Sequence, residues 1–516
     1  MTSISKSHLW GKMQDYYSNI GLGAWSDEVV PMQISSNKSL AAAYANVILA
    51  HINDYYTANP QAKDNIEPFH IVEVGAGHAR LSFYIVKQLM ELLPIFGYPL
   101  NSIKYIVTDI APINVQAWEE HSAFNQFMQD GIVDTAIFNA MTDTSLALRQ
   151  SGLVLQANSL QKPVFMIGNY LFDSLANDGF QAQSGQLLEA QIKIKSSADW
   201  KEYFDKAKFE FTYSPVATNY YNDQELDKIL ADYVAHFNPE GSFVLPIGGI
   251  ACMRTVERFS KSPMVLLLAD KACADLSQLA DLSDPDIASH GGSISMIVNY
   301  DALARFTRQK GGTALLMPNS SSDFQVGCFI NKDSYPIGHT RHSFMQNFAG
   351  ASPQDVINIC YNEDEIKQKY ESLDHILSIL NLNHWDPNIF FDLYEIILDK
   401  LENETLTMEQ NSCFMQNLPL LWSYFFKLEK NNDLAFAIGA IYYAIDEYEL
   451  ANKYYNISLV EFGANADNLY NLAISLQLLE KLEEAKEHAL QALSLDPDYS
   501  AAQELLDEIQ AEFVES

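Results

Sequence analysis

Ile71-Val-Glu-Val-Gly-Ala-Gly-His-Ala-Arg80 reads as an apolar strand that ends in a glycine turn and runs directly into a helical pattern from Leu81. Gly75 and Gly77, flanking Ala76, let backbone amides approach a ligand closely at the positive end of that helix. A nucleotide-like ligand fits such a turn. A dinucleotide fold would want a third glycine, for pyrophosphate binding and helix packing, where this chain has Arg80. Glu73 stands just before the turn, and a carboxylate there suits a ligand with a cationic end, such as the amino acid part of S-adenosylmethionine, better than a pyrophosphate. Arg80 either pairs with Glu73 or binds the ligand's carboxylate; an unpaired Arg at a helix start would oppose the helix dipole. His78 either touches the ligand or faces solvent.

Three further strands must agree with this turn. Lys104-Tyr-Ile-Val-Thr-Asp109, followed by Ile110, ends in an acid whose carboxylate can accept both hydroxyls of a ribose, a device that NAD enzymes share. Val133-Asp-Thr-Ala-Ile-Phe-Asn139-Ala140 finishes with an amide where an adenine edge is read. Val164-Phe-Met-Ile-Gly168-Asn169 delivers Asn169 and Tyr170 to the carboxyl edge of the sheet, where ligands of such folds bind. Four ordinary strands with polar end caps would look the same without a ligand.

These strands alternate with helical stretches from residue 69 onward, the pattern of an α/β domain with a mostly parallel sheet. Residues 1–65 read as a helical lead-in that covers a sheet edge, and 66–335 as the α/β domain. Within it LLEAQIKIK, KFEFTY, GSFVLPIG, SISMIVNY and GGTALLM continue the sheet, with a substrate-side insertion over about 180–290. After SYPIGHTRHS the strand signal vanishes, so 336–383 reads as a helical connector and 384–516 as an all-α domain. A period of 34 places Leu469, Leu472, Ala473, Leu476, Ala485, Ala489, Ala492 and Pro497 at tetratricopeptide consensus sites, and one period back Ile438, Gly439, Tyr442, Ala451 and Tyr455. A degraded helical pair over 384–430 supplies the third unit such a stack needs.

Composition excludes several classes. The 516 residues carry 66 acidic against 32 basic side chains, a net charge of −34, which repels nucleic acid and anionic lipid. Residues 384–516 hold 25 of the acids and 6 of the bases, so a basic protein or peptide is the expected partner there. Cys252, Cys273, Cys328, Cys360 and Cys413 are far apart with no zinc-finger spacing, and neither His290 nor His339-Thr-Arg-His342 has the context of a metal site. No metal is expected. The opening residues lack a signal-peptide core and no apolar run is long enough for a membrane span, so the expectation is a soluble, cytoplasmic protein, export by a signal-less route aside.

IVEVGAGHARL, YIVTDIAP, MIGNYLFDSL and HGGSISMIVNYDALARF, in that order, resemble the glycine motif, acid-ended strand, A-N-E-L-L-D-A-L-P segment and late D-I-T-A-H-V-D-F segment of the MidA-like class I methyltransferases. The resemblance spans roughly 20–330 and extends to the mitochondrial complex I assembly methyltransferases, which modify protein arginine. It implies a Rossmann-like fold and S-adenosylmethionine as cofactor, held by Glu73, Gly75, Ala76, Gly77, Arg80, Asp109, Ile110, Asn139, Ala140 and Asn169. Family glutamates that would hold a guanidinium match Gln33 and Tyr170 here, and the closing proline matches Ala176. Asp173 matches the Asp of L-L-D and is the first candidate for substrate orientation or general base, with Asn169 and Tyr170 lining the pocket; the equal alternative is that it serves only the local helix dipole. The resulting expectation is a methyltransferase whose repeats recruit a protein substrate. The alternative is a degenerate methyltransferase-fold scaffold, and a nicotinamide oxidoreductase is disfavoured by the missing third glycine.

Overall fold

The computed structural model describes residues 1–23, 35–196, 202–237, 239–279, 281–290, 292–317, 324–349, 372–428 and 433–515. Gln33 and Cys360 lie outside them. The chain divides into two compact units, Met1–Asp355 and Val356–Ser516.

The first unit is built on a seven-stranded sheet of β1 (Phe69–Val74), β2 (Ile103–Asp109), β3 (Val133–Ile137), β4 (Val164–Asn169), β5 (Met264–Asp270), β6 (Thr313–Leu316) and β7 (Gln325–Ile330). Its spatial order is β6-β7-β5-β4-β1-β2-β3. The pairs among β1 to β5 are parallel, whereas β7 runs antiparallel to both β5 and β6. FHIVEV and MVLLLAD are buried along their whole length, as strands covered on both faces must be. Strand order reverses between β1 and β4, and a reversal of this kind opens a crevice at the carboxyl ends of the two strands.

The lead-in differs from its expected place. The helix Lys38–Ala58 packs on a face of the sheet, not on an edge: the rings of His51 and Phe165 lie 5.7 Å apart and those of Tyr55 and Phe69 5.5 Å. Asn37 caps it, accepting the Leu40 N–H at 2.8 Å.

The insertion does not extend the main sheet. Asp178–Gln183, Gln186–Lys195, Lys208–Val216 and Glu240–Leu245 form a separate antiparallel sheet with Thr2–Ser3. Its one-sided pattern explains the separation, since Lys208–Val216 alternates exposed and half-buried residues and a sheet covered on both faces has no place for that. Ser184 and Gly185, at φ +49° and +81°, make the two-residue hairpin turn. SISMIVNY also departs from a single strand. It gives the short pieces Ser293–Ser295 and Val298–Asn299, after which Asn299 caps the helix Tyr300–Gln309 by accepting the Ala302 N–H at 3.0 Å.

The second unit is helical: Leu373–Leu382, Pro387–Asn403, Met408–Ser423, Leu434–Ala444, Tyr448–Phe462, Ala466–Leu478, Leu482–Leu495 and Ser500–Glu515 among the described residues. Apolar residues spaced three and four apart fill its core, with Leu472, Ala473, Ala485 and Ala489 buried beside Ile438, Tyr442 and Ala451. Gly439 lets two helices approach, because a Cβ there would stand 2.7 Å from the Tyr455 ring. No described helix is long and apolar enough to cross a membrane.

Candidate functional site

The crevice at the ends of β1 and β4 is a concave cleft lined by both polar and apolar side chains, the kind of place where small ligands bind. Glu73, Gly75, Ala76, Gly77, Asp109 and Ile110 line one part; Asn139, Ala140, Asn169 and Tyr170 line the rest with residues not foreseen from sequence. Ten of the expected positions therefore meet in one cavity.

The glycine turn is held rigidly. Gly75 and Gly77 have φ of +68° and +57°, and a Cβ on Gly75 would lie 2.7 Å from Leu171 Cδ1. Ala76 N–H donates to Thr108 O at 2.9 Å, Gly77 N–H to Asp109 Oδ2 at 3.1 Å, and the Trp118 indole N–H to Gly77 O at 3.0 Å. Asp109 Oδ1 also accepts the Ala111 N–H at 2.9 Å, yet burial keeps this carboxyl above its ordinary pKa. Glu73 is buried as well. Its Oε2 accepts the Ser82 and Tyr105 hydroxyls, both at 2.5 Å, and desolvation raises its pKa to about 7.

At the end of β4 the Asn169 amide N–H donates to Ser35 O, while its buried Oδ1 has no partner among the described residues. Asn139 Oδ1 accepts the Met141 N–H at 3.2 Å. Tyr170 adopts φ +48°, a conformation costly for a residue with a Cβ, and its ring lies 6.3 Å from that of Phe324.

Two expected residues, Arg80 and Asp173, stand behind the cleft wall. Arg80 is buried and its guanidinium donates to Ser36 O at 3.2 Å and to Ser36 Oγ at 3.1 Å, so it braces the Ser35–Ser36 segment that lines the cleft. His78, by contrast, lines the cleft itself and is buried rather than solvent-facing; its Nδ1 accepts the Arg80 N–H, and burial beside Arg80 depresses its pKa well below the ordinary value. Asp173, like Arg80, is buried outside the lining. Its Oδ1 accepts the hydroxyl of Ser174, which does line the cleft, at 2.9 Å. Asp270 Oδ2 fixes this turn by accepting Phe172 and Asp173 N–H at 2.8 and 3.2 Å. Burial raises both carboxyls, Asp173 to about 6.

Trp10, Met13, Gln14 and Tyr17, from the helix Leu9–Ile20, close the opposite wall. Their spacing of three, four and seven is a legible helical stripe, but nothing local says what it faces. Among the described residues no three His, Cys, Asp or Glu side chains are grouped to hold a metal ion.

Residues 51–270 match the family described as "Putative S-adenosyl-L-methionine-dependent methyltransferase". Among solved structures the chain is similar to a COG1565 superfamily member from Burkholderia thailandensis bound to S-adenosyl-homocysteine, at 14% identity and a TM-score of 0.42 over 65% of this chain and 89% of that one. A native structure of a COG1565 superfamily protein from the same organism gives 13% identity and a TM-score of 0.39 over 64% and 88%. No curated protein matches the sequence. The first unit is an α/β fold with a mixed sheet, and most of it falls within the stretch matched by that S-adenosyl-L-methionine-dependent family model. The cleft fits S-adenosylmethionine on its own terms: a turn of two glycines in the left-handed region, an acid on each side of it, and an unpaired amide oxygen beyond.

Proposed function

We propose that the protein is a Rossmann-like, MidA-like class I methyltransferase that acts in the cytoplasm on a protein recruited by tetratricopeptide-like repeats in 384–516. The observation that carries this reading is the glycine turn held between two buried acids, Glu73 and Asp109, at the reversal of strand order. The repeat part is supported by the buried small residues Gly439, Ala473, Ala485 and Ala489 at the expected period. Four unpaired cysteines among the described residues suit a reducing compartment.

When bound, S-adenosylmethionine supplies an electrophilic methyl group on sulfur. Glu73 and the Gly75–Gly77 turn, where the chain leaves room for it, would hold its amino acid end, Asp109 its ribose, and Asn139 with Ala140 its adenine edge. Ile110 packs beside the ribose. Asn169 Oδ1 accepts an N–H or O–H from the acceptor and fixes its approach, and the Tyr170 ring walls the same space against water. Asp173 acts through Ser174: the hydroxyl that faces the cleft takes the acceptor's proton as it passes its own to Asp173 Oδ1. Arg80 positions the Ser35–Ser36 wall.

A second reading, a scaffold without catalysis, has one observation in its favour: Tyr170, a neutral residue, holds the position where the resembled family has a glutamate. Incubating the full chain with methyl-labelled S-adenosylmethionine and a cell extract separates the two. Label in protein, absent with Asp109→Ala, supports the enzyme; cofactor binding with no label in any protein supports the scaffold.

A further inference from the structure

The second unit carries its charge asymmetrically. Residues 433–516 contain 17 acidic side chains and 3 lysines. The helices Leu434–Ala444, Ala466–Leu478 and Ser500–Glu515 have no Lys, Arg or His at all, whereas Lys453, Lys486 and His488 sit on the two intervening helices. The cations have been kept off alternate helices.

Those three helices meet along one surface. Ala466–Leu478 packs against both of the others, and Gln477 donates to Glu512 Oε1 at 2.7 Å; burial raises the phenol pKa of Tyr443, which neighbours Tyr470, and that of Tyr470, which neighbours Glu504 and Glu508. The rings of Tyr470 and Tyr499 lie 5.1 Å apart. Tyr443 and Tyr470 are half-buried, with Glu504, Glu508 and Glu512 exposed beside them. Three glutamates spaced four apart on one helix repel one another, a cost that an added cation removes. Tyrosine faces next to unpaired carboxylates are what a Lys or Arg side chain needs, ring contact for its stem and charge for its head.

We propose that this face binds a Lys- and Arg-rich segment of a protein partner, its cationic side chains lying over Tyr443 and Tyr470 and pairing with Glu504 and Glu508. Helix axes about 8–10 Å apart make the face ~20 Å wide. That is roughly six residues of extended chain, too long for a small cation to span. The inference deepens the recruitment part of the proposed function and does not depend on cofactor binding, so a failure of either is read separately.

The test is anisotropy of a short fluorescein-labelled Lys/Arg/Gly peptide titrated with the full chain. Binding is expected to weaken roughly tenfold in Glu504→Gln/Glu508→Gln, exposed changes that leave the fold intact, and in Tyr470→Ala. It is expected to hold in Glu483→Gln/Glu487→Gln, which removes the same charge from an intervening helix, and to fall as salt rises from about 0.05 to about 0.5 M. No binding, equal loss in both glutamine pairs, or competition by spermine as effective as by the unlabelled peptide would overturn the proposal, since each leaves only a diffuse acidic field.

Discussion

Asp109 Oδ2 accepts the backbone N–H of Gly77 at 3.1 Å, so the acid that ends β2 also holds the glycine turn that ends β1. One carboxylate thereby builds the cradle and presents its remaining acceptor capacity to the cleft. Asp109→Ala is expected to lose about 1–3 kcal/mol of stability in denaturant unfolding, the usual cost of stranding a buried donor, and to lose cofactor binding as well. Asp109→Asn, which keeps one acceptor for Gly77, is expected to recover most of the stability and little of the binding. Equal recovery of both would mean that the carboxylate serves the turn alone.

Glu73 makes affinity depend on pH. Burial raises its pKa to about 7, so below that value it is largely protonated in the free protein. A ligand with a cationic end favours the ionised form, and S-adenosylmethionine should therefore bind more weakly as pH falls from 8 to 6 and release a proton on binding. Calorimetry in buffers of different ionisation heat reads that proton directly. Glu73→Gln should abolish the release.

The same group costs stability. Its folded pKa lies above the unfolded value of 4.5, so the folded state holds more protons between the two and stability falls as pH rises through about 4.5 to 7. Glu73→Gln removes this loss and is expected to make the protein more stable than wild type at pH 8, by up to about 3 kcal/mol, with the difference vanishing near pH 4. Unfolding curves at the two pH values check it. A variant less stable at both would show that the hydrogen bonds from Ser82 and Tyr105 outweigh desolvation.

Gly75→Ala should fail for two separable reasons, a left-handed φ and a Cβ 2.7 Å from Leu171. Pairing it with Leu171→Ala relieves only the clash. Cofactor affinity is expected to return in part in the double variant; full return would leave no cost to the backbone conformation, and none would assign the whole effect to it.

Much of the cleft is legible in the sequence because chemistry in this fold gathers at strand ends. Glu73, Gly75, Asp109, Asn139 and Asn169 each sit within a few residues of an apolar run whose end can be read directly. Trp10 and Tyr17 share that cavity, but they reach it from a helix far away in the chain, and local patterning carries no such information. Arg80 shows the same limit: its helix-start position invites a ligand, while its partner Ser36 is fixed only by tertiary packing. The sequence shows Asp173 just past the end of β4, but whether its side chain points into the cleft or behind it depends on tertiary contacts such as that of Asp270 to the Phe172 and Asp173 N–H groups. For the insertion, periodicity gave the strands without their sheet, because one-sided burial appears only once the covering layers are known.

Calorimetric titration of the folded full chain with S-adenosylmethionine and S-adenosylhomocysteine tests the cofactor cleft most directly. Saturable one-site binding of both, lost in Asp109→Ala, is the expected result. Folded protein that binds neither would contradict the assignment of the Glu73–Asp109 cleft.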